Sequence, residues 1–522
     1  MNIAVIGAGS SGLITLKYLL DSFPASSIHC FEQSESVRGC WGNQREGFVS
    51  TSTKYTTQFS CFRKWQLDVS IDKDYKEFYR GAEFGDYLEA FAEHFGLRHH
   101  IQFCARLKSL ERSRTAWRLT LIEDDKEMVR TFDAVFLCTG LVNQKKPLES
   151  QVVPVADKPE AVRDSVAVIV GGGESATDIA NHLAAPEFNN KVFLSLRSGV
   201  RVSPRYHPIR GVPSDFLRNR LLLSFDKSLR NRVGEAFVSF RIRFNQLLST
   251  LFPHKQMNQD ASKEEQALRK TWDLKLKARA KGKLFNVFHN KSDSFLDAVA
   301  QKRLSIIGPP TDTSWTEYVD FDQKETFSLV PDVLVASTGF HSKLSEFSEG
   351  TVALKDFYHG CVHIDNNHLF LIGFARPVIG NIPSISEMQA RYAVGILADT
   401  YKLPEDVKTK QVNVWQFLKD EYSSLDLSSV YPVEQYPYCD SLAKEMAIMP
   451  TRASLGLRTW LKLLLVPAST THYMDEYFDE EMLKKQNVYT PFILIVIMLF
   501  MKLVESTRQY LNRKIRSIRE VF

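Results

Sequence analysis

The chain opens on a short unbroken apolar run, Ile3-Ala4-Val5-Ile6, as expected of a parallel strand buried on both faces. A glycine turn follows, Gly7-Ala8-Gly9-Ser10-Ser11-Gly12, and then Leu13, Leu16, Leu19 and Leu20 fall at helical spacing. A second apolar run, Ile28 to Phe31, ends at Glu32. The same succession returns later: Val166 to Val170, the turn Gly171-Gly172-Gly173-Glu174-Ser175-Ala176, a helical stretch Ser175 to Leu183, and a strand Lys191 to Leu196. Two more segments echo each other. Asp133 to Gly140 and Asp332 to Gly339 each run from an Asp through four apolar residues to a small-Thr-Gly end. The pattern predicts an α/β chain with two dinucleotide-binding, Rossmann-like domains.

Each part of the first unit has a physical reason. Gly7 makes the tight turn, Gly9 lets the backbone approach a pyrophosphate, and Gly12 lets the helix pack on the strand. The helix N-terminus supplies N–H groups and a positive dipole end. Glu32 can accept both ribose hydroxyls. In the second unit Gly171, Gly173 and Ala176 hold the turn, but the strand ends at Leu196-Arg197-Ser198 with no carboxylate. Arg197 and Ser198 suit a 2′-phosphate, which favours NADPH over NADH. Two such sites in one chain imply that hydride passes between two cofactors.

The turn Gly39-Cys40-Trp41-Gly42 resembles the loop that covers the ADP half and the flavin in two-dinucleotide flavoproteins, which adds Gly39 and Trp41 to an FAD site. The order of motifs over roughly residues 1–470 resembles the flavin-containing monooxygenases, the class B single-chain enzymes. Their A-T-G-Y is similar to Ser337-Thr338-Gly339-Phe340, so Thr338 and Gly339 join the cofactor residues. Leu369 to Gly373, Arg376 to Pro383 and Glu387 to Ala393 look like the family's strand, glycine turn and Q-x-R helix near the flavin. Phe285 to Asn290 is similar to its segment before the return to the FAD domain. The resemblance implies FAD and NADPH as cofactors, O2 as co-substrate, and a small organic substrate with a soft nitrogen or sulfur. In that family the reduced flavin forms a hydroperoxide whose distal oxygen passes to the nucleophile.

Two departures matter. The family's F-x-G-x-x-x-H is absent from Val153 to Pro159, which disfavours a Baeyer–Villiger enzyme. Where the family often has T-N-S-S-K-E, this chain reads Ser50 to Tyr55, so Thr51 takes the Asn position. A hydroxyl has one donor where an amide has two. Thr51 and Asn381 are the expected polar groups near the flavin ring. These departures favour the alternative of a membrane-associated NAD(P)H dehydrogenase feeding a quinone-like acceptor. A third reading, a non-catalytic nucleotide-binding scaffold, is opposed by the intact glycines.

Composition then adds detail. The 522 residues allow several domains. The expected division is residues 1–150 and 331–470 for a discontinuous FAD domain, 151–211 and 305–330 for the NADPH domain, 212–304 for a mainly helical basic insertion, and 471–522 for a tail. Seven cysteines without a C-x-x-C argue for a reducing compartment, and no His/Cys spacing suggests a metal. The net charge of +5 does not announce a nucleic-acid partner, but it is unevenly spread. Arg218 to Lys283 holds 16 Lys/Arg against 6 Asp/Glu, interleaved with apolar residues such as Phe237, Phe240 and Phe244. That suits either a membrane interface or a substrate-capping helical subdomain. Thr490-Pro491 starts a run, Phe492 to Met501, without a polar residue. As a helix Val488 to Val504 spans ~25 Å against the ~30 Å hydrocarbon core. With the basic residues that follow, this C-terminal hydrophobic helix is expected to attach the chain to the cytoplasmic face of an intracellular membrane, endoplasmic-reticulum-like in a eukaryote. Docking onto its own fold, or a partner copy in a homodimer, is the alternative.

Overall fold

The computed structural model describes residues 1–24, 26–42, 44, 47–63, 76–113, 116–142, 144–207, 211–216, 218–251, 261–366, 368–467, 469–474, 499–507 and 510. The first apolar run forms β1 (Asn2–Ile6), the glycine turn leads into α1 (Ser10–Ser22), and β2 (Ser27–Phe31) lies parallel to β1. Ile3, Ala4 and Val5 are wholly buried, as a strand covered on both faces must be. A short strand, β3 (Val49–Thr53), lies outside this sheet. An antiparallel meander, β4 (Ala105–Ser113), β5 (Ala116–Glu123) and β6 (Lys126–Phe132), precedes β7 (Ala134–Leu137), which inserts parallel to β1.

The second unit repeats the plan. β8 (Val166–Val170), α2 (Glu174–Leu183) and β9 (Lys191–Ser195) follow one another, with β8 and β9 parallel. Four helices then occupy Arg220–Leu223, α3 (Lys227–Arg243), Asn245–Leu251 and α4 (Lys263–Arg279). A short helix, α5 (Phe295–Ala300), leads to β10 (Leu304–Pro310) beside β9, and β11 (Val333–Ala336) lies beside β8. The chain then returns to the first sheet, where β12 (Leu369–Leu371) pairs with β7, and α6 (Ile382–Leu397) packs against α1.

Two expected boundaries move. Phe295, Leu296, Ala298 and Val299 are buried in the second core with Leu194 and Leu304, so the second dinucleotide fold resumes before residue 305. β11 also belongs to that fold, because its apolar run is buried only beside β8, so the crossing to the FAD domain falls after residue 336 rather than 330. Each echo is therefore its own fold's strand next to the leading strand. The two segments that cross between the folds, Gln144–Lys145 and Phe340–His341, pair as an antiparallel ribbon.

The basic insertion departs from the expected amphipathic pattern, although Leu221, Phe225, Ile242 and Leu276 are buried. Arg220, Arg230 and Arg241 are buried, whereas Phe240, Phe244, Leu247 and Leu251 are exposed. For two of them the cause is a carboxylate on the FAD domain: Arg230 forms a two-pronged pair with Glu434 at 2.9 and 3.1 Å, and Arg220 pairs with Asp440 while lying 4.5 Å over the Tyr436 ring; Arg241 lies near Asp273 of the insertion itself. Among the described residues no helix is long and apolar enough to cross a membrane. The run Phe492 to Met498 lies outside them. Residues 499–507 are helical and dock on the fold: Met501 packs on Leu221 and Phe225, and Glu505 accepts the Asp226 N–H at 2.6 Å. Leu499, Phe500, Leu503 and Val504 stay exposed.

The two folds share one close contact. Gly7 has φ +96, and a Cβ there would sit 2.8 Å from the Cys138 carbonyl oxygen. Gly171 has φ +140, and a Cβ there would overlap the Ser337 carbonyl oxygen. Gly173 has open space around it. Gly171→Ala is therefore expected to destabilise the protein by about 2–4 kcal/mol, and Gly173→Ala by less than about 1 kcal/mol, read as shifts in the urea unfolding midpoint.

Candidate active site

One cavity of about 1390 Å³ runs from the first glycine turn to the second. Gly7, Gly9, Glu32, Gly39, Trp41, Thr51, Gly173, Thr338, Gly339 and Asn381 all line it. Gly12, Gly171, Ala176, Arg197 and Ser198 do not, for separate reasons. A Cβ on Gly12 would fall inside the Gly7 carbonyl oxygen, so its role is the packing of α1 on the turn. Ala176 is buried in the second core and its N–H reaches the Gly173 carbonyl at 3.1 Å. Arg197 and Ser198 sit past the carboxyl end of β9, where Arg197 is exposed and pairs with no carboxylate among the described residues.

The first turn is built to hold a dinucleotide. Glu32 is buried at the end of β2, and its carboxylate accepts the N–H groups of Ala8 at 2.7 Å and Ser34 at 2.9 Å. These bonds aim it into the cavity while leaving lone pairs for ribose hydroxyls. The Gly39–Trp41 turn passes so close that a Cβ on Gly39 would lie 3.1 Å from the Gly9 Cα. Trp41 is held over this turn by the Phe84 ring at 4.9 Å. The two T-G ends close the cavity, with the Thr338 hydroxyl donating to the Lys146 carbonyl at 2.9 Å.

β3 forms the wall between the two nucleotide turns. The Thr51 hydroxyl bonds to nothing among the described residues, and the Thr51 carbonyl accepts from the Lys291 ammonium. Asn381 is the N-cap of α6. Its Oδ1 accepts the Ser384 N–H at 3.0 Å and its Nδ2 donates to the Thr56 carbonyl at 2.6 Å. Its amide thus braces the wall, and only one N–H remains for a ligand. Asp215 ties the insertion to the same strand, accepting from the Thr53 N–H at 2.8 Å and hydroxyl at 2.7 Å.

Sequence reasoning missed the charged groups here. Arg205, Arg218, Lys291 and Arg376 line the cavity with Glu174. Arg205 donates to the Ser50 carbonyl at 2.8 Å and the Val49 carbonyl at 2.5 Å. Arg376 stacks 3.8 Å from the Phe288 ring centre. Burial, then the Arg218 charge, pushes Lys291 down to about 8. Burial pushes the Glu174 carboxyl up, against the pull of Lys291. The same burial and Arg218 push His289 down to about 3, so it is neutral near pH 7. It donates Nε2–H to the Leu284 carbonyl at 2.7 Å and accepts at Nδ1 from Ser203. No spacing signal could have grouped four cations from three distant segments.

The comparisons with known proteins agree with this arrangement. A model of the flavin-binding monooxygenase-like family matches residues 1–474. The chain belongs to that family. Human flavin-containing monooxygenase 1 is 26% identical over 488 residues, covering 87% of this chain and 85% of the relative. Rat dimethylaniline monooxygenase [N-oxide-forming] 4 is 27% identical over 436 residues, covering 78% and 71%. Among solved structures, cyclohexanone monooxygenase from Rhodococcus sp. Phi1 bound to NADP+ superposes with TM-score 0.59 at 15% identity, over 85% of this chain and 97% of that one. S-allyl-L-cysteine S-oxygenase from Allium sativum gives 0.55 at 16%, over 94% and 98%. This flavin-binding monooxygenase-like protein is therefore a flavin-dependent monooxygenase that uses FAD, NADPH and O2. The tight packing of Gly7, Gly12 and Gly171 behind each turn, the open backbone at Gly173, and the carboxylate held at the end of β2 fit the two dinucleotides.

Arg197→Ala is expected to raise KM for NADPH roughly tenfold and KM for NADH less than about twofold, measured by initial rates of nicotinamide oxidation.

Proposed function

We propose that this monooxygenase oxygenates a soft nitrogen or sulfur atom of a small organic substrate. The observation that carries the reading is the single cavity that joins both nucleotide turns along β3, so reductant and substrate share one chamber. Phe288, Pro377 and Val378 give that chamber apolar walls suited to an organic substrate. The names of two similar proteins support it, one an N-oxide-forming enzyme and the other an S-oxygenase. NADPH and a proton supply two electrons; one atom of O2 ends on the nucleophile's lone pair and the other leaves as water. When bound, FAD would supply the carrier for those two electrons and the centre at which oxygen is activated.

The chain's residues bind, orient and exclude. Gly9 and Ser10 lie at the N-terminus of α1, and Gly173 at that of α2, where backbone N–H groups meet pyrophosphates. Glu32 holds the flavin nucleotide's ribose and Arg197 with Ser198 the 2′-phosphate. Trp41 and the Gly39 turn cover the first dinucleotide. Gly339 and Thr338 shape the passage between the sites. Thr51 offers one hydrogen-bond donor to the oxygen being transferred, and Asn381 fixes the wall behind it. A soft nucleophile carries its own lone pair, so no side chain has to deprotonate it.

Under NADPH and air, a thioether such as thioanisole is expected to give its sulfoxide, one per NADPH in the coupled limit, with bleaching of the flavin band near 450 nm (about; a property of the cofactor) when oxygen is withheld. Fast electron delivery to a quinone without any sulfoxide or N-oxide would replace this reading with a dehydrogenase.

We also propose attachment to the cytoplasmic face of an intracellular membrane through the tail. The outward Leu499, Phe500, Leu503 and Val504 support it, as do the exposed Phe240 and Phe244 of the insertion. Truncation after Lys485 is expected to move the protein from the pelleted membranes to the supernatant; retention in the pellet overturns the tail's role.

A further inference from the structure

The cations around β3 have more charge than the chain itself balances. Arg205 spends its guanidinium on the carbonyls of Val49 and Ser50 and on Asp293. Lys291 spends its ammonium on the Thr51 carbonyl. Arg376 sits over the Phe288 ring. Arg218 differs: it lines the cavity half-buried, and its guanidinium donates to no protein group among the described residues. Its backbone is fixed by the turn at Asp215, whose carbonyl accepts the Arg218 N–H at 3.1 Å. The carboxylates at hand are Glu174, Asp215 and Asp293; Asp293 pairs with Arg205, and Oδ2 of Asp215 accepts from Thr53 and Thr56. Four positive charges thus face three carboxylates, and the Arg218 guanidinium is the one with no hydrogen-bond partner among the described residues, which is costly for a half-buried charge unless an anion arrives.

The dinucleotides have their own anion sites elsewhere. The pyrophosphates meet the N-termini of α1 and α2, and the 2′-phosphate meets Arg197 past β9. The unfilled guanidinium instead shares the cavity with Thr51 and Phe288, on the wall between the nucleotide turns. We propose that Arg218, with the Lys291 charge near it, holds a carboxylate on the substrate. The oxygenated molecule is then an amino or thioether acid rather than a neutral amine or sulfide. A planar carboxylate matches the guanidinium fork with two parallel hydrogen bonds. This rests on the nitrogen- or sulfur-oxygenating reading above, and adds the charge that selects among such substrates.

The test uses the full-length FAD-loaded enzyme with 4-(methylthio)benzoate and its methyl ester, which share one sulfur and differ in one charge. Sulfoxide formation is expected to favour the acid at least tenfold in kcat/KM. Arg218→Gln is expected to bring that ratio near one by raising KM for the acid, and KM for NADPH to change less than twofold. Calorimetric titration of the acid into the oxidised enzyme with NADP+ is expected to show at least a tenfold weaker Kd for Arg218→Gln. Arg218→Lys, which keeps the charge and loses the fork, should fall between and stands in if the glutamine variant does not fold. Equal use of acid and ester by the native enzyme overturns the proposal while leaving the oxygenation reading intact. So does a tenfold rise in KM for NADPH in Arg218→Gln with the acid preference kept, which would assign the cation to the dinucleotide. If neither compound yields sulfoxide although NADPH reduces the flavin, the sulfur-oxygenating reading fails, and the calorimetric comparison still decides whether Arg218 binds the acid.

Discussion

Each dinucleotide fold hangs on one backbone approach that leaves no room for a side chain. The leading glycine of each turn sits against the carbonyl of the residue before a Thr-Gly pair, Gly7 against Cys138 and Gly171 against Ser337. Parallel strands place their carboxyl ends along one edge, and an open α/β sheet binds ligands there. The contact brings β7 to the first turn and β11 to the second. The chain leaves both by the same Thr-Gly corner, and the two departing segments pair as the ribbon Gln144–Lys145 with Phe340–His341. Two separate folds thereby open into one cavity.

Between the turns, geometry is held by charge. β3 is too short and too polar to be fixed by burial alone. Its carbonyls are held by Arg205 and Lys291, its Thr53 amide by Asp215, and its flank by the amide of Asn381 through Thr56. Removing charges from water is expensive, and burial with the neighbouring Arg218 charge holds Lys291 below the ordinary lysine range. The same economy governs the insertion. Arg220 and Arg230 are drawn inward by Asp440 and Glu434 on the FAD domain, while Phe240 and Phe244 lie outside. A basic, apolar helical stretch read in isolation gives the opposite orientation, because an arginine's preference depends on whether a carboxylate is within reach.

Much of the fold was legible because its signals are local. The runs Ile3 to Ile6 and Val166 to Val170, the glycine spacing, and Glu32 at a strand end all lie within about thirty residues of each other in each unit. The echo at Asp133 and Asp332 was legible too, but its meaning was not: each strand belongs to its own fold, and its Thr-Gly end packs on that fold's turn. The meander β4 to β6 carries the period-2 alternation of half-buried strands, as in Ala105 to Lys108 and Trp117 to Leu121, but that pattern alone does not say which fold it joins.

The sequence by itself determined the two nucleotide turns, the absence of a ribose carboxylate at Arg197, and the family to which the motif order points. These are properties of contiguous residues, where backbone conformation and spacing are set by the chain's own covalent geometry. The tertiary structure alone decided which side chains meet across the cavity. Arg205, Arg218, Lys291, Arg376 and Glu174 stand far apart in the chain and converge only when the insertion folds back on β3. Their chemistry arises from shared burial and mutual charge, and neither quantity exists until the distances do.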